Sequence, residues 1–228
     1  DPIAEVGALT VRVTDTGSAA VAAQVNPRIK RLLEQARPPT APGEVGLSLL
    51  VSATSATVGE QVDILTAAWF PRELRLRLRR APTLVPPDVE GMWSYPQPAP
   101  VGIAASRQVA GIWYDLFVAH QIAFPVRSGE LTISPAQMQY SVPLALQFFS
   151  QEERFSVTSD SAHISVRPVP EEGRPAGFSG AVGTDLTLER ILTPATARAR
   201  EPVNVAFVVG GKGNVTLWPS PEVTWPDG

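Results

Sequence analysis

The sequence predicts an all-β chain of tandem β-sandwich modules with one short helix near its start. Three observations predict it. Apolar residues recur at every second position in segment after segment, the period of a half-buried strand. The 228 residues include 23 prolines and 17 glycines, a supply of turn residues that suits many short strands. Only one segment carries the three-and-four spacing of an amphipathic helix.

Residues 1–42 read as an N-terminal strand and helix extension. Ala8-Leu-Thr-Val-Arg-Val13 alternates as a strand does, and residues 20–25 do so more weakly. Asn26 offers an N-cap, and Pro27 suits the first helical position. Ile29, Leu32, Leu33 and Ala36 then form one apolar stripe, which Pro38-Pro39 ends. A helix of roughly ten residues is marginal alone, so it is expected to brace the next module.

Residues 43–170 read as an Ig-like β-sandwich. Residues 47–53 form a strand, and Thr57-Val-Gly-Glu60 a turn. Val62, Ile64, Ala68 and Phe70 share one strand face. Leu74-Arg-Leu-Arg-Leu-Arg79 alternates throughout and predicts a strand with leucines on one side and arginines on the other. Residues 82–100 are a proline-rich connection holding Trp93 and Tyr95 as loop aromatics. Residues 112–124 predict a strand covered on both faces, with Trp113 in the core and His120 half-buried and hydrogen-bonded. Ser128-Gly129 turns the chain into further strands at 130–134, 144–149, 155–158 and 162–166, with a break in phase between Val157 and Ala162.

Residues 171–228 read as the start of a second Ig-like sandwich. A linker follows Pro168 and Pro170, and the chain restarts at Phe178. Leu186, Leu188 and Leu192 alternate, as do Val203, Val205, Phe207 and Val209. Gly210-Gly-Lys-Gly213 predicts a hairpin turn into a strand at 214–218. That makes about four strands where a complete module needs about seven. The module is therefore expected to be incomplete, with open edges, and either to pair with a neighbour or to be poorly ordered.

Composition narrows the function. Net charge is −3, so no bulk field draws nucleic acid or an anionic membrane. With no cysteine, disulfides and thiolate chemistry are excluded. Hydrolysis by a Ser-His-Asp triad needs a histidine base, and the two histidines, His120 and His163, carry no accompanying motif. His163 is out of phase with Ile164 and Val166 and is expected to face solvent. Zinc lacks a ligand set, and Glu152, Glu153 and Asp160 match no calcium loop. Gly210-Gly-Lys-Gly213 lacks the first glycine and the Ser/Thr of a phosphate loop. No run of about 20 apolar residues spans a bilayer. Asp1 in place of Met is expected to reflect an upstream piece removed either by processing or by the choice of segment expressed. No cofactor and no catalytic residue is predicted. The predicted contact residues are Arg75, Arg77 and Arg79, with Arg80 beside them, and the amphipathic aromatics Trp93 and Tyr95.

Four segments, in this order, carry a resemblance. They are Ile122-Ala-Phe-Pro-Val-Arg-Ser-Gly-Glu-Leu-Thr-Ile-Ser-Pro135, the strand from Val157 to Pro170, Phe178-Ser-Gly-Ala-Val-Gly183, and Gly213-Asn214-Val215 with Pro219 and Pro221. In them the chain resembles the BatD family of bacterial oxygen-tolerance, or aerotolerance, proteins. The resemblance implies an exported protein with tandem Ig-like domains on the periplasmic or outer face, tethered by a C-terminal membrane helix that this chain does not contain. It implies no catalytic motif. As partners it implies envelope proteins with von Willebrand A domains, associated with MoxR-type ATPases. A carbohydrate- or polymer-binding accessory module using Trp93 and Tyr95 is the alternative expectation.

Overall fold

The computed structural model describes residues 27–98, 102–145, 151–198 and 200–218. The expected strands at 8–13 and 20–25, the Asn26 cap and most of the expected strand at 144–149 lie outside them. What is described is all-β: thirteen strands, two short helices and one 3-10 turn.

Five strands make the central sheet. They are β1 (Gly46–Val51), β3 (Val62–Pro71), β5 (Met92–Pro96), β6 (Ala105–Val109) and β7 (Ile112–Pro125), in the order β1-β3-β7-β5, with β6 on the other end of β7. Every pairing in it is antiparallel. A second sheet runs β10 (Glu152–Thr158), β9 (Gln137–Pro143), β4 (Thr83–Val85). A third runs β2 (Ser55–Thr57), β11 (Ala162–Arg167), β8 (Gly129–Ile133), with β2 parallel to β11.

Alternation in β3 and β7 sorts the core into two layers. Val62 and Ile64 with Ala123 meet Leu131, Ile133, Ile164 and Val166 of the third sheet. Ala68 and Phe70 with Phe117 meet Met138 and Tyr140 of the second. Leu65, Ala67 and Trp69, with Tyr114, Leu116 and Val118, point the other way. That face would be wet without helix α1 (Pro27–Gln35), whose Leu32 and the following Ala36 seal it. The expected brace and its stripe are thus present, and all of β3 is buried.

Several readings are corrected. Residues 74–79 are not a strand: helix α2 (Arg72–Arg77) follows β3 directly. Trp93 and Tyr95 lie in strand β5, not in a loop, with Trp93 opposite Phe124 and Tyr95 opposite Ile122. The prolines bound this edge strand and leave its interior free to pair. Trp113 is 45% exposed, because β7 starts beyond the end of β3 and Trp113 pairs only with Gln108 of β6. In the last segment, β12 (Gly183–Thr193) and β13 (Asn204–Gly213) form a two-stranded ribbon. Gly210 to Gly213 end β13 and are not a hairpin turn, and Val215–Leu217 is a 3-10 turn, not a strand. The hairpin connection falls at 194–203 instead, where Pro194 and Pro202 break the pairing.

Candidate interaction surface

The arginine row expected on one strand face is dispersed by the helix. Arg72 and Arg75, one turn apart, turn together onto Asp115 of β7. Asp115 is fully buried. It accepts Arg72 Nη2 at 2.7 Å, Arg75 Nε at 3.0 Å and the Ser106 hydroxyl at 2.7 Å. The Arg72 hydrogen bonds chiefly, with Ser106 and Arg75 adding, hold the Asp115 carboxyl down at about 2 against the opposing effect of burial. The same contact raises the Arg72 guanidinium, which also stacks 4.9 Å from the Trp113 ring. Arg77 and Arg80 are exposed, and Arg79 reaches Glu152 at 3.8 Å. Arg75 is therefore a latch that fastens α2 to the sheet. The signal in the sequence was Asp115 itself, a lone acid inside an apolar strand, which needs a cation.

Trp93 and Tyr95 are brought together, with ring centroids 5.1 Å apart, and both stack toward Phe124. Tyr95 is half-buried and Phe124 buried, so only Trp93 turns a substantial face to solvent. Burial first, and the Asp63 charge second, raise the Tyr95 hydroxyl. Beside them His120 is buried, its Nε2 at 2.9 Å from Asp63 Oδ1, with Gln61 Nε2 also donating to that oxygen. His163 is exposed on β11, beside Thr132. The two histidines thus sit on different sheets. Among the described residues no group of three or more His, Asp or Glu side chains can hold a metal ion, and no helix is long and apolar enough to cross a membrane.

The ribbon supplies a surface that residue-by-residue reading did not single out. Leu188, Arg190 and Leu192 share one face with Val205, Phe207 and Val209. Leu188 is 70% exposed, and Phe207 and Val209 are also exposed. The opposite face exposes Ile191 and Val208. Each strand has one edge that pairs with nothing among the described residues. A two-stranded ribbon exposing apolar side chains on both faces is marginal in water alone. The signal in the sequence was the alternation of both strands with too few further strands to cover it.

The base of the ribbon is clasped by Asn214, which is buried. Its Oδ1 accepts the Val182 N–H at 2.9 Å and Trp218 Nε1–H at 2.6 Å, while Nδ2 donates to the Gly180 carbonyl at 3.1 Å. The chain thus brings Phe178-Ser-Gly-Ala-Val-Gly183 and Gly213-Asn214-Val215 into one knot. Gly59 abuts it from the β2–β3 turn. A Cβ there would lie 2.8 Å from Asn214 Nδ2, and the φ of +82° already favours glycine. With both polar atoms of its amide engaged, Asn214 holds the base of the ribbon together.

Compared with family models, with curated proteins and with solved structures, the chain matches none.

Proposed function

We propose that this chain is a non-catalytic protein-interaction ectodomain of an exported, membrane-tethered protein, built from tandem Ig-like modules as in the BatD family it resembles. In this reading it docks von Willebrand A-domain envelope proteins, and its part in oxygen or stress tolerance is that of a scaffold. The observation that carries the reading is the apolar ribbon of β12 and β13, with open edges and exposed side chains on both faces. Such an element gains stability by adding strands from a partner, main chain for affinity and alternate side chains for selectivity. The packing of the central antiparallel sheet, through one face of β3, on the second and third sheets supports the module type. The buried latch at Asp115 and the buried pair of His120 and Asp63 read as structural, because both are spent on internal partners.

The test is direct binding of the purified chain to a von Willebrand A-domain protein from the same envelope, followed by calorimetry. Saturable binding that a Leu188→Asp change weakens at least tenfold supports the reading. Absence of binding, or binding untouched by Leu188→Asp, overturns it.

A further inference from the structure

We infer that β13 is a self-pairing edge, by which two copies of this chain join their ribbons into one four-stranded antiparallel sheet. This rests on the reading of the ribbon as the contact element and assigns one of its two free edges, β13, to a second copy.

The two edges of the ribbon differ in charge. β12 carries Asp185, Glu189 and Arg190, the inward and edge charges that discourage pairing. β13 carries none from Asn204 to Gly211, and Lys212 is its first. A homotypic antiparallel pairing of β12 centred near its middle would set Glu189 against Glu189, or Arg190 against Arg190, in the second copy. A pairing of β13 centred on Phe207 sets no charges against each other. Val205 falls opposite Val209, Ala206 opposite Val208, Phe207 opposite its own copy, and Asn204 opposite Gly210.

That near-palindrome is what a two-fold interface requires, since the same patch must fit itself. The register is bounded on the page. Gly211 has φ of +128°, which breaks the extended backbone just past Gly210. The pairing also gathers the exposed face of each ribbon, placing both copies of Val205, Phe207 and Val209 side by side between the two pairs of Leu188 and Leu192. Aromatic and β-branched cross-strand pairs are the ones that stabilise a sheet most. From Asn204 to Gly211 the β13 edge carries no charge that would set a second copy of itself against it.

The 228-residue chain, examined by sedimentation velocity over a range of concentrations, is expected to convert from monomer to dimer. Phe207→Lys should weaken the dimer at least tenfold, and Thr187→Lys on β12 less than twofold. Because the protein has no cysteine, Phe207→Cys reports the register independently: mild oxidation should give a disulfide-linked dimer, and Thr187→Cys should not. A wild-type chain that stays monomeric throughout, a Thr187→Lys loss as large as that of Phe207→Lys, or a Phe207→Cys chain that does not cross-link would overturn self-pairing. A monomeric chain that still binds the A-domain protein through Leu188 would overturn self-pairing alone and leave the interaction reading standing.

Discussion

Asn214 and Val182 are joined twice. The Val182 N–H donates to Asn214 Oδ1 at 2.9 Å, and the Asn214 N–H donates back to the Val182 carbonyl at 3.1 Å. Because Val182 precedes β12 and Asn214 follows β13, this pair closes the ribbon at its base, where Gly59 of the first body touches it.

Asn214→Ala leaves the Val182 N–H and the Trp218 indole N–H without their acceptor. Each is part-buried, so each orphaned donor costs up to about 1–3 kcal/mol. The expected result is faster amide exchange at Val182, by at least tenfold, with exchange in β3 unchanged. Gly59→Ala, strained by its φ and crowded by Asn214, is expected to act in the same direction. Protection at Val182 that survives both changes would show the clasp to be incidental.

Asp115 makes stability depend on acid. Its pKa lies at about 2 in the folded chain, below the ordinary 3.8. A lowered carboxylate pKa stabilises the fold above the unfolded value and loses that contribution as pH falls toward the folded one. The contribution is about 2 kcal/mol and fades between about pH 4 and pH 2. Asp115→Asn should lower stability at neutral pH by at least this much and flatten the acid limb of a urea-denaturation series. An unchanged limb would assign that pH dependence to other carboxylates.

Arg107 caps helix α1 from β6. Its guanidinium donates to the carbonyls of Ala36 at 2.7 Å and Leu33 at 2.9 Å, and packs 5.6 Å from the Trp69 ring. Arg107→Ala should cost about 1–3 kcal/mol and open the amides of α1 first. Arg107→Lys should recover little, since an ammonium cannot fork to two carbonyls while lying over a ring. Full recovery with lysine would mean that charge alone holds the helix.

His120→Ala should destabilise the fold by about 3 kcal/mol, because it removes a buried partner of the Asp63 carboxylate. The same change should leave binding of the A-domain protein unaltered once the protein is folded. Lost binding in a folded variant would move His120 from the frame to the interface.

Much of the fold was legible in period-two alternation. Val62 to Phe70, residues 112–124 and both ribbon strands declare themselves that way, and Thr57-Val-Gly-Glu60 is the turn its glycine implies, with the Glu60 N–H on the Thr57 carbonyl at 2.9 Å. Residues 74–79 failed for a physical reason. Their alternation fits a strand, but Asp115 on the next strand draws Arg72 and Arg75 to one side, which only helical spacing allows. Pro71 and Glu73 at the head of that segment were the local hint. Trp113 failed because burial depends on where neighbouring strands stop, which no local pattern records. The candidate contact surface was half legible: Trp93 and Tyr95 do come together, but only Trp93 is exposed, and the alternation that marks β12 and β13 as strands does not record that, among the described residues, no further strand covers them.

All of β3 is buried, and although β1 and α1 precede it, much of what covers it lies downstream: β7 begins at Ile112, and β11 ends at Arg167. A chain emerging N-terminus first holds this segment only partly sheltered, by β1 and α1, until those later strands arrive. Such long-range closure is slow and exposes the nascent chain to misassociation. Residues 62–71 are therefore the segment most open to misassociation until residues 162–167 have emerged.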